Sequence, residues 1–387
     1  MPSSPLALGF IGGALDSAVG YAHFSACSMD NRWKLVAGAF SQDPQINQDT
    51  AKAYGVSGDR VYDDWAEMIA KEKNHLDAVT ILAPTPSHYH IVSECMAQGM
   101  PVICEKALAT TRVEIEMIME ARDARNSFIA ITYNYSGYPM VRELRALIRS
   151  GALGEILHFQ AEMPQEGYRR VDAHGNKPHP QEWRLHDGDI PTIHLDLAVH
   201  LHQLIHYLTD QHPLEVVADQ STCGWFNVID NVTCLCRYSE KILGQMWFSK
   251  SALGHRNGLR IRIYGSDASA EWFQANPEEL ILSYADGRRQ ILDRGVDTQV
   301  AGLTRYSRFK AGHPAGFVEA FANLYVDIAD SIQEYKMTAQ WQSDEVFGAE
   351  LALEGMNMLE AMVKSISVRK WTAVQDTPSG DTNAKQG

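Results

Sequence analysis

Two charged residues end an apolar run in the segment MPVICEKALATT. Val102 to Cys104 is apolar, and Glu105 and Lys106 follow it directly. An ammonium group at the end of a strand can donate a hydrogen bond to an oxygen on which negative charge develops during a reaction. Glu105 can hold Lys106 or the neighbouring backbone in place. The alternative is a solvated ion pair, and the position of the strand in its sheet decides between the two interpretations.

A second candidate set lies in HLDLAVHLHQLIHYL, residues 194–208, which contains four histidines. Asp196 and His200 are one helical turn apart, so both can point into one cleft. A general base and the group that orients it need this arrangement. His202 and His206 have the same spacing and suggest a metal site, but no third ligand is evident. The simpler interpretation of that pair is histidines on a helix surface or in an interface.

The turn in GFIGGALDSAVGYAH is a candidate dinucleotide site. Gly12, Gly13 and Gly20 allow backbone amides to approach a pyrophosphate, and the following helix offers its positive N-terminus. The spacing departs from G-x-G-x-x-G, because Ala14 stands where a glycine is expected and the loop is longer. The alternative is a tight turn between a strand and a helix.

The end of the second apolar run bears on the choice of cofactor. Ser41 stands where a residue normally meets the adenosine ribose, and Asp43 lies two residues on. An acidic residue there selects NAD, whereas a nearby arginine accommodates the phosphate of NADP. No arginine follows closely, so NAD is favoured. Asp43 and Pro44 are equally typical of a helix start.

Other aromatic and polar residues are candidates for contact with a substrate. Tyr133 and Asn134 follow the fifth apolar run, and Trp183 and Arg184 precede the histidine segment. Trp183, like Tyr138, can equally be a core residue. Arg184 can pair with an acidic group of a substrate or form a structural salt bridge.

The first third of the chain predicts a scaffold for these residues, because short apolar runs alternate with amphipathic stretches. Strands are predicted at Leu6–Ile11, Lys34–Phe40, Ala78–Leu82, Val102–Cys104 and Phe128–Thr132. Helices are predicted at 18–29, 48–54, 65–73, 88–98 and 112–125. This alternation indicates a parallel sheet with helices on both faces. Ligands bind beyond the carboxyl ends of such strands, so Glu105 and Lys106 are expected at the binding edge.

From about residue 135 the pattern changes to apolar stretches without regular intervening helices. Strands are predicted at 156–162, 214–218, 232–238, 242–249, 259–264 and 280–284. Helical segments at 193–208 and 315–336 interrupt them, which indicates an α+β domain with a largely antiparallel sheet. The tail from Asp376 is polar and rich in Gly, Ser and Pro, and it is expected to fray.

Length and charge narrow the classes of function. A chain of 387 residues is expected to form two domains. The net charge of −14 argues against nucleic acid as a partner. No apolar run is long enough to span a bilayer, and no Lys or Arg precedes the first apolar stretch, so a cytoplasmic protein is expected. The six cysteines are scattered, which suits free thiols.

Several of these residues together carry a resemblance to a known family. The residues are Pro84-x-x-x-His88, Glu105-Lys106, Asn134, LIRSGALGEI at 147–156 and Asp196-x-x-x-His200. With them the chain resembles the Gfo/Idh/MocA oxidoreductases, the glucose-fructose oxidoreductase and inositol dehydrogenase family. The resemblance covers most of the chain, because GHRNGLRIRIYG at 254–265 and AGHPAGFVEAFANLY at 311–325 also resemble one subgroup.

The resemblance implies a division into domains and a reaction. Residues 1–132 would form a Rossmann domain that binds NAD, with NADP as the alternative. Residues 133–375 would form an α+β domain with a large, mostly antiparallel open sheet that binds substrate and forms a homodimer or homotetramer, and 376–387 would be a flexible tail. The family's usual chemistry is reversible hydride transfer at a secondary hydroxyl of a sugar, inositol or related polyol.

The resemblance also implies roles for residues. Cofactor contacts are expected from Gly12, Gly13, Gly20, Ser41, Pro84, His88, Glu105 and Lys106, and substrate contacts from Tyr133, Asn134, Trp183 and Arg184. Lys106 would reach cofactor and substrate, His200 would take the carbinol proton, and Asp196 would contact substrate or orient His200. A nearby ammonium would keep that imidazole neutral and therefore basic.

Two positions depart from the family pattern. Ala107 replaces a proline, which would loosen the placement of Lys106, and Ala198 replaces a glycine. These changes leave open a dinucleotide-sensing regulatory protein without catalysis, and the family's range also includes glycoside cleavage through a keto intermediate. Retention of Lys106, Asp196 and His200 together favours a dehydrogenase.

Overall fold

Five parallel strands form the first sheet of the computed structural model, which describes residues 4–376 other than 18, 240 and 297. The strands are β1 (Leu6–Gly12), β2 (Trp33–Ala39), β3 (Ala78–Leu82), β4 (Val102–Cys104) and β5 (Ile129–Ile131). Their order is β2-β1-β3-β4-β5, with every neighbouring pair parallel. The carboxyl ends of the strands therefore share one edge, as the alternating pattern predicts.

Helices connect these strands: α1 (Gly20–Met29), α2 (Pro44–Tyr54), α3 (Trp65–Glu72), α4 (His88–Ala97) and α5 (Arg112–Arg125). Local chemistry sets their ends. Asp43 accepts hydrogen bonds from the backbone amides of residues 45 and 46 and caps α2. Thr111 and Glu114 form a capping box at the start of α5. The predicted start of the first helix, residue 18, lies outside the described residues.

A nine-stranded sheet follows. Its strands are β6 (Ile156–Pro164), β7 (Glu215–Ser221), β8 (Asn231–Arg237), β9 (Leu243–Ser249), β10 (Arg260–Gly265), β11 (Ala268–Phe273), β12 (Asn276–Tyr284), β13 (Arg289–Leu292) and β14 (Thr372–Ala373). The order is β13-β12-β11-β10-β6-β9-β8-β7-β14. The pair β6 and β9 is parallel. The pairs β6–β10, β10–β11, β7–β8, β8–β9 and β7–β14 are antiparallel. The prediction of a large, mostly antiparallel sheet is confirmed.

Four more helices complete the described chain: α6 (Pro139–Arg149), α7 (Val199–Thr209), α8 (Phe317–Thr338) and α9 (Ala349–Val368). A π-helical turn, His194–Ala198, leads into α7 and carries Asp196. The predicted segments 193–208 and 315–336 correspond to this turn with α7 and to α8. The sequence pattern did not predict α6, α9, β11, β13 or β14.

The described residues divide into two compact units. The first contains the residues as far as Ala146 with Pro277–Leu280 and Leu292–Ala349, and the second contains Leu147–Asn276, Ile281–Ile291 and the residues from Glu350 onward. This division does not follow the boundary expected after residue 132. The physical reason is α8, whose Phe321, Tyr325 and Ile328 belong to the same buried core as the strands of the parallel sheet.

Among residues 4–376, outside the three gaps, no helix has the length and apolar character required to cross a membrane. All six cysteines are free thiols, and Cys223 is the exposed one. Of the tail expected to fray from residue 376, residues 377–387 lie outside the described residues.

Candidate active site

The glycine turn lies at the carboxyl end of β1, in the first unit. Gly12 has a φ of +79°, and a Cβ atom there would lie 2.7 Å from the backbone nitrogen of Ala83. A Cβ on Gly20, the first residue of α1, would lie 2.1 Å from the carbonyl oxygen of Gly13. No acidic residue occupies the first turn of α1. The turn is therefore a close backbone cradle at a helix N-terminus, which fits the pyrophosphate of a dinucleotide.

The end of β2 shows helix-capping chemistry. Ser41 Oγ accepts a hydrogen bond from the backbone amide of Asp43 at 3.1 Å. Asp43 Oδ1 in turn accepts from the amides of residues 45 and 46 at 2.8 and 3.1 Å. The carboxylate of Asp43 thus caps α2, and the half-buried Ser41 occupies the position expected to meet the ribose.

His88 joins the loops that follow β3 and β4. Its Nε2 lies 2.8 Å from the carbonyl oxygen of Ala83, and its Nδ1 lies 2.8 Å from the carbonyl oxygen of Ala107. Burial lowers the pKa of His88. The exposed Pro84 precedes the turn that leads into α4. His88 thus positions two loops at the binding edge, and its buried ring contacts backbone.

Glu105 is the centre of a buried polar chain in the first unit. Its Oε1 lies 3.0 Å from His23 Nε2 and accepts a hydrogen bond from Thr132 Oγ1. His23 Nδ1 lies 2.9 Å from the hydroxyl of Tyr325. The hydroxyl of Tyr325 in turn lies 3.4 Å from the hydroxyl of Thr80. One arrangement of protons satisfies the chain: His23 Nε2–H and Thr132 donate to Glu105, and Tyr325 donates to His23 Nδ1.

The charge of Glu105 follows from these contacts. Burial raises the pKa of this carboxyl, but the hydrogen bond with His23, the charge of Lys106 and the hydrogen bond from Thr132 together hold the pKa below its ordinary value of 4.5. A carboxylate anchored by His23 on α1 and by Thr132, directly after β5, fixes the backbone from which Lys106 projects.

Lys106 is half-buried at the end of β4, on the edge where the parallel strands end. The Lys106–Ala107 peptide is cis. Ala107 is buried, and its carbonyl oxygen lies 2.8 Å from His88 Nδ1. This contact opposes the loosening expected from the loss of the family proline.

The residues after β5 are buried. Asn134 Nδ2 has no hydrogen-bond partner within the described chain, so this donor is available to a ligand. Tyr133 and Tyr138 are both buried, and Tyr138 stacks on Tyr135 at a centroid distance of 6.3 Å. Tyr138 is therefore a core residue.

Asp196, in the second unit, lies between two cations. Its Oδ2 is 2.5 Å from Arg184 Nη1 and also contacts Lys250 Nζ. The guanidinium of Arg184 lies 4.4 Å above the ring of Trp183, which is half-buried. Two roles were predicted for Arg184, a contact with substrate and a structural salt bridge. The salt bridge within the chain is observed. Three charged groups beside an aromatic face offer donors and an acceptor to a polyhydroxylated ring.

Tyr168 completes this charged cluster. Lys250 Nζ lies 5.0 Å from the centre of its ring, and its hydroxyl donates to the carbonyl oxygen of Arg184 at 3.2 Å. Burial raises the pKa of Tyr168 to about 12, so it stays a neutral donor. Tyr168 thereby links the backbone of Arg184 to the cation that follows β9.

The four histidines of residues 194–208 have different surroundings. His194 is fully buried beside Phe248, neither of its ring nitrogens has a hydrogen-bond partner among the described residues, and burial lowers its pKa to about 3. His202 and His206 face Glu354. His202 is buried, so the prediction that it lies on a helix surface is wrong. His200, in the first turn of α7, is the remaining candidate for the base.

The sequence did not single out several residues of these clusters. Lys250 directly follows a predicted strand. A lysine at a strand end is also the feature that makes Lys106 a candidate. His23, Thr132 and Tyr325 carry no such local signal, because their contacts with Glu105 and with each other join distant parts of the chain.

Comparison with known proteins agrees with the fold. Residues 7–133 match the family profile described as oxidoreductase family, NAD-binding Rossmann fold, and residues 141–271 match the GFO/IDH/MocA C-terminal domain. The uncharacterized oxidoreductase YfiI of Bacillus subtilis is 30% identical over 378 residues, which cover 94% of this chain and 95% of that protein. Levoglucosan dehydrogenase of Pseudarthrobacter phenanthrenivorans is 24% identical over 293 residues, covering 70% of this chain and 71% of that enzyme.

A solved structure extends the similarity to three dimensions. The inositol dehydrogenase homologue from Azotobacter vinelandii, complexed with NADH and myo-inositol, has a TM-score of 0.85 and 27% identity, covering 96% of this chain and 98% of that one. The parallel sheet with its glycine turn, the large mostly antiparallel sheet and these similarities lead to one assignment. The chain belongs to the Gfo/Idh/MocA family of oxidoreductases, related to sugar and inositol dehydrogenases, and its first domain is an NAD-binding Rossmann domain.

Proposed function

We propose that this oxidoreductase transfers a hydride between NAD and a secondary hydroxyl of a sugar, glycoside or inositol-type polyol, giving a keto-sugar in the oxidative direction. One observation carries the proposal: Asp196, paired with Arg184 and Lys250, lies in the turn that leads directly to His200. Such a charged cluster matches the hydrogen-bonding groups of a polyol. Relatives whose names specify levoglucosan or inositol support the substrate class.

The cofactor would be held by the first unit. Gly12, Gly13 and Gly20 form the cradle for the pyrophosphate, and Ser41 meets the ribose. Asn134 offers its buried amide donor. Bound NAD supplies the acceptor for the hydride. No arginine follows Ser41 closely in the sequence, so we expect NAD to bind more tightly than NADP.

We assign the proton chemistry to two residues of the chain. His200 takes the proton of the carbinol, a role in which a neutral imidazole is effective near pH 7. Lys106 stabilises the negative charge that develops on the reacting oxygen. Asp196 is assigned to substrate binding or to the orientation of His200, and Trp183 to contact with the face of the sugar ring.

The test offers the purified protein NAD with a panel of inositols, glucosides and anhydrosugars, and follows NADH absorbance. We expect NADH formation with at least one member of the panel. Release of an aglycone without net NADH would move the assignment to glycoside cleavage. Binding of NAD, seen as a thermal shift, without turnover of any member would favour a dinucleotide-sensing protein.

We also propose that the chain forms a homodimer or homotetramer through the open sheet. Leu235 on β8 and Leu243 on β9 lie on one face of the sheet and are exposed. A sheet face that exposes leucines is suited to association with another copy. Size-exclusion chromatography with light scattering gives the mass in solution. A Leu235→Lys variant should lower that mass, and a monomeric wild-type protein would contradict this assignment.

A further inference from the structure

Three histidines surround one buried carboxylate in the second unit. Glu354, on α9, has its Oε1 at 3.2 Å from both His202 Nε2 and His206 Nδ1. Its Oε2 contacts Nδ1 of His212, which follows the end of α7. His206 and Glu354 are 148 residues apart in the chain. The sequence shows only the His202 and His206 pair, and the fold adds the missing acidic group.

The spacing of the atoms fits a metal ion. One ring nitrogen of His206, one ring nitrogen of His212 and a carboxylate oxygen of Glu354 all lie within 4.8 Å of one another. Zinc bonds of about 2.0–2.1 Å in tetrahedral geometry place neighbouring ligand atoms about 3.3 Å apart. The His206–Glu354 separation of 3.2 Å matches that edge. Imidazole nitrogens and a carboxylate are the donor set that Zn²⁺ and similar ions prefer.

Neighbouring side chains orient Glu354. Its Oε1 forms a hydrogen bond with His206 Nδ1 at 3.2 Å, and His202 Nε2 lies at the same distance from that oxygen. His202 Nδ1 lies 3.1 Å from the hydroxyl of Tyr238. A histidine oriented by a hydroxyl and placed against a ligand carboxylate is a common support for a metal site.

We propose that His206, His212 and Glu354 bind one divalent transition-metal ion, with Zn²⁺ as the reference ion, and that the ion joins the end of α7 to α9. His212 is 64% exposed, so a water molecule can take the fourth position. His202 is a positioning residue for Glu354. His200 and His206 are separated along α7 by roughly 9 Å of helix rise, so this site is distinct from the proposed catalytic base.

The experiment uses the untagged full-length chain, stripped with a chelator and dialysed into metal-free buffer. Isothermal titration with ZnCl₂ measures stoichiometry and affinity, and titration with CoCl₂ gives an absorption spectrum that reports the ligand geometry. We expect one Zn²⁺ per chain and a rise in melting temperature on binding. Replacing His212 or His206 with alanine should raise the dissociation constant at least ~10-fold, because loss of even a supporting group costs 10-fold to 100-fold.

A matched control comes from the exposed pair His186 and Glu182, whose side chains meet at 2.7 Å with an i, i+4 spacing. His186→Ala removes a histidine from a carboxylate contact and should leave zinc affinity unchanged. Because His212 is mostly exposed, His212→Ala should keep the far-ultraviolet circular dichroism of the wild type, so the decisive arm does not depend on buried packing. Absence of binding by the wild type in excess metal, or equal affinity in His212→Ala and the wild type, would overturn the proposal.

Discussion

The buried chain around Glu105 gives a graded prediction for two substitutions. Glu105→Gln keeps an oxygen that both His23 and Thr132 can use, but it removes the charge from these bonds. Bonds to charged groups contribute about 1 kcal/mol more than neutral ones, so two such bonds lose about 2 kcal/mol. The smaller desolvation of an amide offsets part of this loss. We therefore expect the free energy of unfolding to fall by about 1 kcal/mol.

Glu105→Ala removes the acceptor altogether. It leaves the Nε2–H of His23 and the hydroxyl of Thr132 buried without the bond that each makes in the wild type. Each unsatisfied buried donor costs about 1–3 kcal/mol, which gives about 2–6 kcal/mol for the pair. Removal of a buried carboxylate returns part of that cost. We expect a net loss of about 2–4 kcal/mol, which is clearly larger than the loss in the glutamine variant.

The pH dependence has a defined sign. The pKa of Glu105 in the folded protein lies below its ordinary value of 4.5. Its contribution to stability is therefore complete above pH 4.5 and is lost as the pH falls through the lower folded pKa. Above pH 5 the difference between wild type and Glu105→Gln should be constant, and below pH 4.5 it should shrink.

Urea unfolding followed by tryptophan fluorescence measures these differences, and NAD titration of the same variants reports the cofactor site. Thr132→Val is the matched control, because it removes one hydrogen bond and leaves the carboxylate with His23. We expect it to cost less than Glu105→Ala. Equal destabilisation by the glutamine and alanine variants would refute the reasoning, because the number of acceptors would then have no effect.

Three further predictions concern the cofactor turn and the base. Gly20→Ala places a Cβ atom 2.1 Å from the carbonyl oxygen of Gly13, so we expect NAD affinity, measured by fluorescence titration, to fall at least ~10-fold while α1 survives in circular dichroism. Asp43→Ala removes the cap of α2 and should lower the free energy of unfolding by about 1 kcal/mol in urea, with the preference between NAD and NADP unchanged; a weakened NAD preference would contradict a purely capping role. His200→Asn should lower turnover by about 100-fold or more and remove the acidic limb of the pH–rate profile, and retention of that limb would exclude His200 as the base.

The parallel sheet was predictable because its signals are local. β3 and β4 have the predicted bounds, since both are short runs buried on both faces; β3 ends just before Ala83 and Pro84, and β4 ends just before the charged Glu105. The start of α5 follows from the capping box of Thr111 and Glu114. Helix α9 was not predicted, although its polar residues Glu350, Glu354, Asn357 and Lys364 recur at helical spacing; residues 351–359 are all buried.

Contacts between distant parts of the chain could not be predicted from the sequence pattern. Nothing near Phe321 or Tyr325 indicates that α8 packs in the core of the parallel sheet. The partners of Glu105 and of Glu354 are set by the assembled fold, as the separation of 82 positions between His23 and Glu105 illustrates. The residues proposed for the site were visible in the sequence, and the groups that support them were not.

Lys106→Met provides the most direct test of the proposed dehydrogenase mechanism. The substitution keeps much of the bulk of the stem and removes the charge, while Glu105 stays anchored by His23 and Thr132. The control is Lys71→Met, which replaces an exposed lysine on α3 that pairs with Glu67. Turnover and NAD affinity are measured on the same preparations of both variants. We predict that Lys106→Met binds NAD within about twofold of the wild type and loses about 100-fold to 1,000-fold in turnover, as when an oxyanion donor is removed. Near-normal turnover in Lys106→Met would contradict the mechanism.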